Sequence, residues 1–265
     1  MEKIKLTKVQ ARNFLLMYHG LAAGEGFVGK AGIMNYIKRV GCIQFDTLDI
    51  VGRNPDLVLQ ARVKKYSGKM LQELLYKDRL LLDEWDKEMS IYPMEDWPYF
   101  RRNREDALKR YTAIREIHEA LPAVRQELEQ KGPSSSADLG QEQIIDWAWA
   151  SARLSRAVLE SMYLWGELIV FNKTGSRKTY DFTYKHLPQE ILHTPDPNQS
   201  MEDYHAWNVL RRIGSVGMLW SKASDAWLGI KGFKAKERIQ AFETLRQQGK
   251  ITEVEVIGMK YPLYI

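Results

Sequence analysis

The chain has 265 residues, 45% hydrophobic and 28% charged, the balance of a globular protein with room for one large domain or two to three small ones. The formal net charge of +5 is a moderate basic excess, so phosphate binding would depend on a local stripe of Lys and Arg rather than on the total. No leader peptide and no apolar run long enough to span a bilayer is read, and the single Cys42 excludes an internal disulfide.

A soluble, cytoplasmic protein with no membrane partner is therefore expected, with Cys42 as a buried small hydrophobe. Along 7–21, Val9, Ala11, Phe14, Leu15 and Tyr18 recur near helical spacing behind Thr7 as N-cap, and Gly24 and Gly26 end that helix. A second helix is predicted over 30–40. The stretch 42–51 is apolar with polar interruptions, and a turn signal at 52–55 follows it. A helix over 69–77, an extended segment over 80–93 and a helix over 95–109, with Arg101, Arg102, Arg104 and Arg110 around it, close the first region.

The middle region predicts a helix over 111–130 stopped by Gly132-Pro133, a cap-rich start to a short helix at 134–138, and a helix over 151–165 that carries Arg153 and Arg156. Strands over 167–172 and 178–183 then flank a tip with Lys173, Gly175 and Arg177. Three helices and a hairpin are the order of a winged helix. Between Leu168 and Tyr180 the basic Lys173, Arg177 and Lys178 have no acidic neighbour, which suits phosphates as well as it suits a solvated turn.

A linker is predicted over 193–200, where two prolines stand in a polar run. Beyond it come helices over 201–213, 224–228 and 234–248 and strands over 251–256 and 260–265. Lys231, Lys234 and Lys236 cluster at the start of the last helix. The expected fold class is α+β and mainly helical, built of tandem winged-helix units, each a helix-turn-helix plus β-hairpin, over 1–110, 111–194 and 200–265. Such a chain should bind duplex DNA.

The eight tryptophans, Trp149 among them, read mostly as core, although an exposed one could stack on a base. Scattered histidines without HExxH, and no glycine-rich phosphate loop or GxSxG frame, leave no metal, cofactor or serine nucleophile to expect.

The segment from Ile43 to Arg62, with Gln44-Phe45-Asp46, Arg53 and Arg62, resembles the winged-helix DNA glycosylases of the YcaQ type, which are associated with repair of alkylated and crosslinked DNA. Their signature is Gln, a hydrophobic residue, then Asp or Gln, with arginines downstream. The likeness continues through Glu84-Trp85-Asp86-Lys87-Glu88, the Lys131-to-Asp138 segment and Thr179-Tyr180-Asp181-Phe182-Thr183.

The resemblance implies a monomeric, monofunctional N-glycosyl hydrolase acting on N7-alkylated purines in double-stranded DNA, with interstrand crosslinks among the lesions. It assigns Gln44 and Asp46 to catalysis. On an extended segment these two share a face while Phe45 anchors the other. Arg53, Arg62, Arg153, Arg156, Lys173, Arg177, Lys178, Lys231, Lys234 and Lys236 are the expected DNA contacts, with a structural ion pair the competing role for Arg62. Two departures are read: Lys87 stands where the family often has His, and a C-terminal β-rich domain carried by many relatives is expected to be missing. They keep a non-enzymatic winged-helix DNA-binding protein or transcription regulator as the alternative.

Overall fold

The computed structural model describes residues 4–22, 26–46, 49–148 and 150–265, so Gly24, Thr47, Leu48 and Trp149 lie outside the described residues. The order begins β1 (Ile4–Leu6), α1 (Lys8–Tyr18), β2 (Phe27–Val28), α2 (Gly29–Val40), β3 (Ile43–Gln44), α3 (Asn54–Gln60), β4 (Val63–Lys64) and α4 (Gly68–Tyr76). It continues with β5 (Leu81–Trp85), β6 (Met89–Pro93), α5 (Arg101–Thr112), α6 (Arg115–Lys131), β7 (Ile144–Ile145), β8 (Ala152–Arg153) and α7 (Leu154–Leu164). The remainder is β9 (Leu168–Thr174), β10 (Arg177–Phe182), α8 (Gln189–His193), α9 (Met201–Val216), α10 (Ala235–Gln247), β11 (Glu253–Val256) and β12 (Leu263–Tyr264). No described helix is long and apolar enough to cross a membrane.

The chain forms two compact units. One comprises Met1–Leu71, Ser90–Pro93 and Asn198–Ile265, and the other Gln72–Met89 and Met94–Pro197. The first and last thirds of the sequence thus share a unit, a grouping that consecutive segments do not suggest.

In the first unit, α1 starts at a capping box in which Thr7 and Gln10 satisfy each other's backbone N–H groups. The same device, Ser200 with Asp203, starts α9. Core residues on α9 and α10, among them Val209, Ile213, Phe242 and Leu245, close around Trp227. A three-stranded sheet runs β1-β11-β12, with Ile4 opposite Val254 in a parallel pair. Strand β1 is too short to show a period in the sequence.

While the chain bends at Val51 and Gly52, helix α3 takes up Asn54 and Pro55, the second half of the turn expected at 52–55. Pro55 stands in its first turn, where a missing N–H leaves no bond unmade. Cys42 is half-buried rather than sealed in the core. The mostly apolar run over 42–51 ends in the open, where Ile50 and Val51 are exposed.

In the second unit, Ile117, Val124 and Leu128 of α6, Ala157, Val158 and Met162 of α7, and Leu168 and Val170 of β9 make one core cluster with Phe182 of β10. The β9–β10 hairpin turns on Gly175 at φ +63, a conformation that favours glycine at a two-residue hairpin turn. Among the described residues of 134–153 no helix forms. Asp138 there accepts bonds from the Ser135 N–H and hydroxyl, so the cap-like sequence closes a turn. Helix α5 supplies a third helix, packed on α6 and α7.

Candidate active site

Ile43 and Gln44 pair antiparallel with Ile91 and Ser90 of β6 in the first unit. Burial alternates along the segment: Ile43 and Phe45 are buried, Gln44 is exposed and Asp46 half-buried. The side-chain alternation of extended backbone explains this, and it leaves an amide and a carboxylate two residues apart on the open side. Asn54 Nδ2 donates to the Gln44 carbonyl at 2.8 Å, so the loop leaving Gln44 returns to the same point. Arg53 at the foot of that loop lies 3.5 Å from Asp49.

Arg62 serves the interior of its unit. One guanidinium nitrogen donates to the Val58 carbonyl at 2.8 Å, and the group stacks 5.4 Å from the centre of the Tyr36 ring. This half-buried arginine is a packing element rather than an open phosphate ligand. Lys231, Lys234 and Lys236, by contrast, are exposed around the start of α10.

In the second unit the hairpin's basic residues divide by register. Lys178 lies opposite Lys173, so both side chains share one face, and Arg177 lies opposite Thr174 at the exposed tip. The shared face is the inner one. Lys173 is ion-paired with Asp83, with only 3% of its side chain exposed. Lys178 Nζ sits 4.7 Å from the centre of the Tyr163 ring. These two lysines are therefore structural, a correction to the expectation that they grip phosphate, and Arg177 alone of the three points outward. Arg153 and Arg156 are exposed but lie 3.8 Å from Glu142 and 2.8 Å from Glu160, surface pairs that a phosphate could displace at little cost.

Asp83 and Glu84 are consecutive on β5 and both buried. Asp83 accepts a bond from the Tyr76 hydroxyl at 3.0 Å in addition to its pairing with Lys173. Glu84 accepts only the Trp85 N–H, at 3.1 Å, and its second oxygen has no hydrogen-bond partner among the described residues. Burial pushes its carboxyl up to about 8, against the opposing pull of that N–H and of Arg104 and Lys178. Trp85, beside it, is 40% exposed. Sequence reasoning placed these residues in a family-like segment but could not separate a buried acid from an exposed aromatic.

The sign of the Glu84 effect follows from linkage. The folded state holds the proton that the unfolded state releases, so stability is full below the usual glutamate range and falls as pH rises towards about 8. Glu84→Gln, neutral throughout, should flatten this decline. At pH 9 it should be more stable than wild type by about 5 kcal/mol. Urea denaturation at pH 5 and pH 9 checks this, and parallel pH dependences for the two proteins would show that Glu84 stays ionised.

Of the tryptophans expected in the core, Trp97, Trp147, Trp165 and Trp227 are buried, while Trp207 and Trp220 are half-buried. Among the described residues, no three His, Cys, Asp or Glu side chains come together to hold a metal.

The family model described as DNA glycosylase AlkZ-like matches residues 37–264, which takes in Gln44, Asp46 and every basic residue discussed above. The chain belongs to the AlkZ-like DNA glycosylase family. It is also similar to the solved structure of Streptomyces sahachiroi DNA glycosylase AlkZ. The TM-score is 0.64 at 16% identity, covering 98% of this chain and 70% of that one, a likeness of fold. Membership of this DNA glycosylase family makes DNA the substrate and identifies the protein with DNA repair.

Proposed function

We propose that this AlkZ-like protein is a monofunctional glycosylase that hydrolyses the N-glycosidic bond of N7-alkylated purines in duplex DNA. The observation that carries this is the open-sided pair Gln44 and Asp46, anchored through buried Ile43 and Phe45 in a chain of this family. A purine alkylated on N7 is cationic and leaves readily, so the site needs little acid catalysis. Its task is to stabilise positive charge on the sugar and to place a water molecule.

In this reading the C1′–N9 bond breaks with its electrons going to the base, which departs neutral. Asp46 stands against the developing sugar cation, Gln44 orients the water, and the water oxygen bonds to C1′. The released proton passes through Asp46 to solvent, leaving an abasic site. Purines tied to the opposite strand through N7 present the same cationic leaving group and belong to the same substrate class.

DNA attachment is assigned to winged-helix elements: α5–α7 with the β9–β10 hairpin, and α9–α10 with the β11–β12 strands. Arg177, Lys231, Lys234 and Lys236 would meet phosphates, joined by Arg53, Arg153 and Arg156 once their ion pairs open. The test is incubation of the protein with duplex DNA carrying one N7-methylguanine, with the free base measured by chromatography. Release of the methylated base, with none from undamaged guanine, is expected. Salt-sensitive binding without release would make the protein a DNA-binding module instead.

A further inference from the structure

Ile50 and Val51 are 87% and 83% exposed, more than any other large apolar side chain described. Single exposed apolar residues are ordinary on protein surfaces. Two consecutive β-branched residues at the tip of one loop are different, because together they hold a contiguous apolar surface in water that burial would stabilise.

The tip is also built to stay where it is. Gly52 has φ +136, and a Cβ there would meet Leu57 at 3.1 Å, so both the backbone conformation and the close approach favour glycine. Asp49 and Arg53 flank the apolar pair and lie 3.5 Å apart. One residue further on, the Asn54 amide returns the chain to the Gln44 carbonyl. The Asp49–Arg53 pair closes across the apolar tip, which lowers the ordering cost of presenting Ile50 and Val51 to a partner.

We propose that Ile50 and Val51 form an apolar wedge that enters the DNA base stack beside the lesion and positions the damaged nucleotide at Gln44 and Asp46. The proposal rests on the glycosylase reading of that site. Ile50 stands four positions after Asp46, so their Cα atoms lie within about 14 Å of each other, a span of only a few base steps. The sequence that follows the loop suits a polyanion, since Lys64, Lys65 and Lys69 are all exposed in the same unit. Apolar side chains that enter DNA between base steps are commonly aliphatic and backed by such charge.

The experiment uses the full chain and a duplex with 2-aminopurine placed directly next to one N7-methylguanine. Wild type should raise the 2-aminopurine fluorescence as the stack opens. An Ile50→Ser, Val51→Ser double variant should not, and its base release from the duplex should fall about tenfold, the scale of a lost unstacking contribution. Ile50→Leu, which keeps an apolar tip, should retain both signals. The exposed serine variants should melt with wild type, since surface substitutions of this kind change stability little.

A fluorescence rise without base release from any form would sustain the wedge and end the glycosylase reading. Base release with an unchanged fluorescence, or the same rise with the serine variant, would end the wedge and leave the glycosylase reading intact. Unaltered DNA behaviour together with a serine-dependent loss of a dimer in sedimentation would assign the patch to a second copy of this chain and overturn the proposal.

Discussion

Exchanging Asp46 for asparagine is expected to lower the single-turnover rate of N7-methylguanine release by about 100- to 1000-fold, the range seen when one preorganised electrostatic contact to a transition state is removed. The substitution keeps shape and hydrogen-bonding capacity but deletes the negative charge. Because Asp46 is half-buried, its field is screened less than that of a free surface carboxylate. DNA affinity should change little, or rise slightly as one anion is lost from the binding surface. Gln44→Ala, which removes a positioning amide without a charge, should cost less. Equal release by wild type and Asp46→Asn at saturating protein would remove Asp46 from the mechanism.

A comparably large effect, on stability rather than on rate, is expected at Lys173. Lys173→Met leaves the Asp83 carboxylate buried beside the Tyr76 hydroxyl with its cationic partner gone, and breaking a buried pair from one side costs about 3 to 5 kcal/mol. Adding Asp83→Asn should recover much of that loss, because an amide carries no charge and can still accept from Tyr76. Urea midpoints of the single and double variants measure the difference. A loss below about 1 kcal/mol for the single variant would place Lys173 among ordinary surface pairs.

What the sequence showed and what it hid divide along physical lines. Helices with a cap and an apolar stripe were legible: Thr7 with Gln10 announces α1, and Ser200 opens α9. The β9–β10 hairpin was legible from its glycine tip between apolar runs. Strand β1 was not, since three residues carry no period and its partner stands at the far end of the chain. Helix α3 was hidden behind Asn54-Pro55, a pair that signals a turn and a helix start equally well.

At the site, the alternation that exposes Gln44 and leaves Asp46 half-buried followed from a two-residue period alone. The fates of Lys173 and Lys178 did not, because composition counts charge while register decides which face a side chain takes. Ile50 and Val51 carry the same lesson: hydropathy reports what a residue prefers, and only the structure shows that the preference is unmet.

The unit that contains Gln44 is interrupted in sequence by the other one, which occupies Gln72–Met89 and Met94–Pro197. On a ribosome, the inserted unit is therefore fully synthesised while its host still lacks α9, α10 and the strand that pairs with Ile4. The host's sheet must close a ring of some 250 residues, and a prefolded insert shortens the flexible part of that ring and reduces the entropy lost on closure. Translation order thus matures the hairpin unit first and completes the proposed catalytic unit last.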